Sequence, residues 1–211
     1  MGTNSTLHED KREVFIVFSQ TNTHMGKIIR TLTNNFYNHV SIALEKELKT
    51  MYSFGRYHIN SPLAGGFIME NPARYLLYSK DVNIKICSVT LDELAYTRAQ
   101  QKIFLFMEDK NTAIYNSFSA ITSLFHKKLN IENAYTCIEF VTDLLDYKEI
   151  INIRELEDKL EDRIIYKGSF KEYVQAVLPS EDEFFQKQKT AEIFIETINH
   201  FKRLLLRAIR H

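Results

Sequence analysis

Glycine is scarce in this sequence: the chain has 211 residues and only six of them are glycine. None of the six stands in a G-x-G-x-x-G or Walker-type pattern, so the glycine-rich loops that commonly cradle nucleotide phosphates are missing from the sequence. The usual dinucleotide-binding and P-loop enzyme classes are therefore excluded.

Cysteine and long apolar runs are scarce as well. The two cysteines, Cys87 and Cys137, are too few for a disulfide framework in a chain of this length. Residues 1–12 are polar and lack the apolar core of a signal peptide, and no apolar run approaches the roughly 18 residues that a membrane span needs. We therefore expect a mobile polar leader and a cytoplasmic, reducing location.

Neither sign of charge is in excess, because 27 Lys and Arg balance 27 Asp and Glu. Proteins that coat nucleic acid are usually basic, so no nucleic-acid partner is predicted. The histidines show no metal-ligand spacing, so no metal site is predicted either. The length is about one and a half typical domains, which indicates one domain with an extension.

The first half of the sequence is typical of β-strands and the second half of helices, which predicts the α+β class. Short apolar or alternating runs predict strands over 14–18, 39–44, 50–54, 66–70 and 82–89, the second and third forming a hairpin. Helical spacing predicts helices over 24–34, 94–110, 112–125, 135–147, 169–177 and a long terminal helix. Thr90-x-x-Glu93 and Ser180-x-x-Glu183 are typical of capping boxes, and residues 151–166 fit neither period.

Cys137 lies near the start of the predicted helix 135–147, with Phe140, Val141 and Leu144 following it at helical spacing. A thiol at a helix N-terminus feels the positive end of the helix dipole, which favours the thiolate, the nucleophile of acyl transfer. The same position also fits an inert core cysteine, because free cysteines are among the most buried residues.

His39 opens a predicted strand and shares one face with Ser41 and Ala43. These neighbours are small, so the ring has room to face a cleft and to act as a base for a thiol. The alternative is a histidine with purely structural hydrogen bonds.

Four segments carry a family resemblance: N-H-V-S-I-A-L (38–44), M-Y-S-F-G-R (51–56), G-G-F-I-M-E (65–70) and Y-T-C-I-E-F-V (135–141). Together they resemble the circularly permuted branch of the NlpC-type, papain-like cysteine peptidases and amidases, which includes YiiX-like proteins and is related to lecithin retinol acyltransferase. In that branch the histidine strand precedes the cysteine helix, as it does here. The resemblance covers roughly residues 13–178.

The resemblance implies a papain-like hydrolase domain over 13–178, followed by a helical extension over 179–211. It implies a thiol-dependent hydrolase or acyltransferase with Cys137 as nucleophile and His39 as general base. The substrate would be a cell-wall-type peptide or a lipid or N-acyl compound with an amide or ester bond, and no cofactor is implied. The alternative is a catalytically inactive papain-like module that binds a ligand or a protein partner.

In the family, a polar residue on the strand after the histidine strand orients the histidine. Pairing the two hairpin strands puts Ser53 near that position, but a slip of one residue would turn it to the other face. Glu70, the nearest carboxylate on a later strand, is the second candidate, and either residue also fits plain polarity at a loop edge. Glu139 is interpreted as a charge favoured by the helix N-terminus and not as a catalytic group.

Residues 194–211 predict a basic amphipathic helix. Phe194, Ile198, Phe201, Leu205 and Ile209 form an apolar stripe at helical spacing, and no acidic residue occurs in 197–211. Such a helix can lie on an anionic membrane or contact a partner. The alternative is that the stripe packs on its own domain or on another copy of the chain.

Overall fold

The computed structural model describes residues 11–21, 30, 35–61, 63–76, 81–122, 129–174 and 183–209. The described strands are β1 (Lys11–Ser19), β2 (His39–Ala43), β3 (Met51–Arg56), β4 (Gly65–Glu70), β5 (Asn83–Asp92), β6 (Ile114–Tyr115), β7 (Ala134–Tyr135) and β8 (Ile164–Ser169). The described α-helices are α1 (Glu93–Glu108), α2 (Ser117–Thr122), α3 (Cys137–Leu144), α4 (Ile153–Lys159), α5 (Phe170–Tyr173) and α6 (Thr190–Ile209).

All eight strands form one sheet in the order β7-β6-β4-β3-β2-β1-β5-β8. Every neighbouring pair is antiparallel except β6 and β7, which are parallel. Since β2 pairs with β3 in antiparallel fashion, the predicted hairpin is confirmed, and so are the predicted strands on either side of it. An antiparallel sheet combined with helices is compatible with the α+β class.

β1 is an inner strand of the sheet, and its apolar run, Val14 to Phe18, is buried on both faces. On one face, α1 and α3 cover the sheet through an aromatic cluster with ring centroids 5.2 to 6.2 Å apart. Its members are Phe54, Phe67, Phe106 and Phe140. This packing holds α3 against β2 and β3, which brings the start of α3 towards the first residue of β2.

Several predicted element ends are wrong. α1 begins after Asp92, whose side chain accepts a hydrogen bond from the Ala95 N–H, whereas Thr90 is still in β5. The terminal helix begins at Thr190, and Glu183–Phe185 form a separate 3₁₀ turn. The predicted leader ends earlier, because Lys11 already belongs to β1. In each case a neighbouring polar residue or strand pairing determines where the element begins or ends. The spacing of apolar residues does not indicate these positions.

Other predictions are shortened or lie outside the described residues. The predicted helix 135–147 corresponds to the shorter α3, and the ambiguous stretch 151–166 divides into α4 and the start of β8. The predicted helix 24–34, except for Arg30, and the Ser180 cap fall on residues that the structure does not describe. None of the described helices is both long enough and apolar enough to cross a membrane.

Candidate active site

Cys137 is the first residue of α3 and directly follows the short strand β7 and Thr136. The Thr136 hydroxyl accepts a hydrogen bond from the Glu139 N–H at 3.3 Å, and the Glu139 carboxylate accepts one from the Thr136 N–H at 2.7 Å. These two bonds form a capping box, which satisfies N–H groups that the helix itself leaves without acceptors. The turn that carries the thiol is therefore fixed on both sides of Cys137.

Glu139 holds the start of α3 through its hydrogen bonds to Thr136. Its buried carboxylate also accepts a hydrogen bond from the Ser119 hydroxyl, which ties the start of α3 to α2. A carboxylate in the first helical turn is stabilised by the helix dipole. Both contacts agree with the interpretation of Glu139 as a helix N-terminal charge.

His39 lies between two functional groups. Its Nε2 atom is 2.7 Å from Oε1 of Glu70. Cys137 is near enough to the ring to contribute to the pKa of His39. The structure therefore brings His39 close to both Cys137 and Glu70.

Glu70, at the end of β4, is held by two further hydroxyl groups. Its Oε2 atom accepts a hydrogen bond from Tyr75 at 2.5 Å and another from Ser41. The two hydroxyl oxygens lie 2.9 Å apart, and all three side chains are buried. Burial of an ionised carboxylate is tolerated only when its lone pairs are bonded in this way.

Ser53, the first predicted orienting residue, does not contact the His39 ring. Its hydroxyl donates to the backbone oxygen of Val40 at 2.8 Å and is buried in the sheet. β3 lies between β2 and β4, and the longer Glu70 side chain spans it to reach the ring. The contact that we predicted for Ser53 is thus made by Glu70, because the Ser53 hydroxyl is bonded to the Val40 backbone and the longer Glu70 side chain reaches the ring.

The site keeps His39 protonated. Burial by itself lowers the pKa of His39, but the Glu70 charge and the hydrogen bonds to Cys137 and Glu70 outweigh it and raise the pKa from 6.5 to about 10. Burial likewise raises the pKa of Glu70, and the His39 charge with the bonds from His39, Ser41 and Tyr75 brings it below its usual value. At neutral pH the site therefore holds an imidazolium against a carboxylate.

Cys87 is a structural cysteine in the same chain. It is fully buried in β5, and burial raises the pKa of its thiol to about 12. Such a thiol stays protonated and unreactive at neutral pH. Cys87 is therefore an internal reference for Cys137.

Tyr75, which directly follows the 3₁₀ turn over Pro72–Arg74, was not predicted from the sequence. Nothing in its sequence position signals that its hydroxyl turns back to Glu70. Ser41 was recognisable only as a small residue on the His39 face. Within the described part of the chain, no group of three or more His, Cys, Asp or Glu side chains could hold a metal ion.

A cavity of about 410 Å³ opens beside Glu70. Three cationic side chains (Lys49, Arg74 and Lys110) and three large apolar ones (Phe67, Met69 and Met107) contribute to its lining. It can therefore accept a group that combines an apolar part with negative charge.

Comparison of the chain with protein-family models, with curated proteins and with solved structures finds no match.

Proposed function

We propose that this chain is a thiol-dependent hydrolase or acyltransferase that acts on an amide or ester bond, with a papain-like core in permuted order. The observation that carries the proposal is the position of His39, which contacts both Cys137 and Glu70. A nucleophile, a base and a group that orients the base are the minimum for covalent acyl transfer. The resemblance to the permuted NlpC-type enzymes supports the same assignment.

In the first step Cys137, whose thiol proton His39 has accepted, attacks the carbonyl carbon of the substrate as a thiolate. The negative charge that develops on the carbonyl oxygen needs donors, and the first N–H groups of α3, that of Cys137 included, have no acceptor within the helix. The capping box holds this turn in place, so these donors are oriented before the substrate arrives. The positive end of the helix dipole acts in the same direction.

His39 then gives its proton to the leaving nitrogen or oxygen. The high pKa of His39 is in part due to the charge and the hydrogen bond of Cys137. Both disappear when the sulfur becomes a thioester, so the pKa of His39 falls at the moment when the leaving group needs a proton. The now neutral ring can accept a proton from water, or from an acceptor alcohol or amine, and the acyl group is released.

Glu70 acts through His39. Its charge stabilises the imidazolium, and its bond to Nε2 fixes the plane of the ring. Ser41 and Tyr75 hold the carboxylate in turn, so the orienting group has little freedom to move.

We infer the substrate class from the cavity beside Glu70, the one residue of the proposed catalytic group that lines it. Its apolar and cationic lining fits a peptide or acyl compound that carries negative charge, such as a wall-type peptide or an acylated anion. We propose a cytoplasmic site of action, and no cofactor takes part in these steps.

The deciding experiment measures the alkylation rate of Cys137 by iodoacetamide as a function of pH, in the wild type and in His39→Ala. Mass spectrometry of the same samples reports Cys87 as an internal control. We expect Cys137 to be alkylated much faster than Cys87 at neutral pH, and we expect His39→Ala to abolish this difference. Panels of neutral and anionic peptides and acyl esters then identify the substrate.

The opposite result is equally informative. If Cys137 reacts as slowly as Cys87 and ignores the His39 substitution, the proposed chemistry is wrong. The chain would then be an inactive papain-like module that binds a ligand or a partner through the same cleft.

A further inference from the structure

The terminal helix α6 exposes an apolar face to solvent. Six large apolar residues on it are each at least half exposed: Phe194, Ile195, Ile198, Leu205, Leu206 and Ile209. They include four of the five residues of the predicted apolar stripe, and the fifth, Phe201, is half-buried and packs against Phe118 with ring centroids 5.9 Å apart. The alternative that this stripe packs on its own domain is therefore wrong for most of its length.

The opposite face of α6 is attached to the rest of the chain. Leu204 is fully buried in a small core with Ile114, Ile131 and Ala134. His200 is buried and shares a hydrogen bond of 3.1 Å with Ser117. These contacts fix the rotation of α6 about its own axis, so the apolar residues on the outer side stay outside.

The outer apolar residues lie close together around the helix axis. Successive residues of an α-helix are about 100° apart, and the six then fall within an arc of about 120°. We call this the outer arc of α6. Exposed apolar surface that is contiguous in this way marks an interaction site, whereas single exposed residues do not.

Among the residues of α6, the one charged side chain inside the outer arc is positive. Lys202 is exposed and lies inside the arc, and the exposed Lys187 and Lys189 precede the helix. The two acidic residues of α6, Glu192 and Glu196, lie outside the arc. The Glu192 carboxylate accepts a hydrogen bond from the Lys189 N–H, and that of Glu196 accepts one from Ser61.

We propose that the outer arc of α6 lies on the surface of an anionic lipid bilayer. The apolar side chains enter the boundary between headgroups and acyl chains, as is usual for amphipathic helices that lie in the membrane plane. The long Lys202 side chain extends from among them to the phosphate level, where its charge is attracted. The helix lies on the bilayer and does not cross it.

A second copy of the chain fits the outer arc less well. Lys202 lies near the middle of the arc, between Ile198 and Leu205. A two-fold symmetric pairing centred on the arc places Lys202 close to Lys202 of the second copy, in an interface that excludes water. Two lysine charges without an acidic partner are unfavourable in such an interface, whereas lipid phosphates compensate the Lys202 charge.

The test uses the full chain and two kinds of vesicle, phosphatidylcholine alone and phosphatidylcholine mixed with phosphatidylglycerol. Co-sedimentation should show binding to the mixed vesicles that is about tenfold stronger than to phosphatidylcholine and that weakens with added salt. The double variant Ile198→Ser and Leu205→Ser should lose this binding. The matched control is Leu94→Ser, which changes an exposed apolar residue of α1 and should bind as the wild type does.

The variants are exposed-site substitutions, and circular dichroism with a thermal melt confirms that they remain folded. Failure of the wild type to bind either vesicle would overturn the proposal, and so would binding that the double variant retains. Light scattering after size exclusion tests whether a second copy of the chain binds the arc instead. A wild-type dimer that becomes a monomer in the double variant would show that it does. Cys137→Ala should bind vesicles normally, because this inference is independent of the proposed catalysis.

Discussion

His39 and Glu70 lie on two strands that are not neighbours, yet Nε2 of His39 is 2.7 Å from Oε1 of Glu70. On the intervening strand β3, the Ser53 hydroxyl bonds a backbone oxygen instead of the ring. The carboxylate thus acts on the ring across a strand, and its charge raises the pKa of His39 against the opposing effect of burial.

Glu70→Gln should leave the shape of the site intact and remove its charge. Without that charge the pKa of His39 should fall from about 10 towards 6.5, which NMR titration of the His39 ring measures directly. Hydrolysis of the substrate identified above should drop by about 100-fold or more, because the imidazolium loses its counter-charge.

Ser53→Ala is the matched control for this variant, since it removes the other predicted orienting residue. It should change the pKa of His39 and the rate little, at a stability cost of about 1 kcal/mol. A large loss of rate in Ser53→Ala together with a mild effect of Glu70→Gln would reverse the assignment.

Tyr75→Phe removes one hydroxyl from the Glu70 carboxylate and leaves an acceptor partly unsatisfied in a buried site. We expect a decrease in the free energy of unfolding of about 1–3 kcal/mol, measured by urea denaturation. The pKa of Glu70 should rise, because a hydrogen bond to its ionised form is lost. On acidification, the alkylation of Cys137 should therefore begin to slow at a higher pH in the variant than in the wild type. A variant that is destabilised with an unchanged pH profile would show that Tyr75 is only a packing residue.

The stability of the protein should depend on pH through His39. Its pKa is about 10 in the folded chain and 6.5 when unperturbed, so the folded state holds the proton more tightly. The stabilisation is complete below about pH 6.5 and is lost as the pH rises through about 10. Urea denaturation at pH 7 and pH 10 should show this loss in the wild type and a smaller one in His39→Gln.

Thr136→Ala should weaken the turn that carries the nucleophile. The capping box loses the hydroxyl that accepts the Glu139 N–H, at a cost of about 1 kcal/mol in the free energy of unfolding. Alkylation of Cys137 should slow, while Cys87, which is remote from this cap, should keep its low rate. Unchanged alkylation in a destabilised variant would show that the cap stabilises the fold without orienting the thiol.

The sequence predicted the parts of the site that depend on local pattern. The alternation around His39 predicted its strand, and the apolar spacing after Cys137 predicted its helix. The partner of His39 was predicted less well, because the Glu70 side chain reaches the ring across β3. Strand pairing predicts which residues are neighbours, but it does not predict how far a side chain extends. Tyr75 and the two-residue strands β6 and β7 were missed for a related reason, since elements this short have no period to detect.

The chain order of the site has a consequence for how the protein is made. His39 and Glu70 belong to the first third of the chain, whereas Cys137 comes well past its middle. A ribosome releases the amino-terminal part first, so the base and its carboxylate leave the exit tunnel before the sulfur does. Until Cys137 is made, the nascent chain therefore lacks the thiol that lies beside His39 in the folded protein. If the proposed chemistry is right, the order of the chain itself delays the enzyme's reactivity until its sheet is nearly complete.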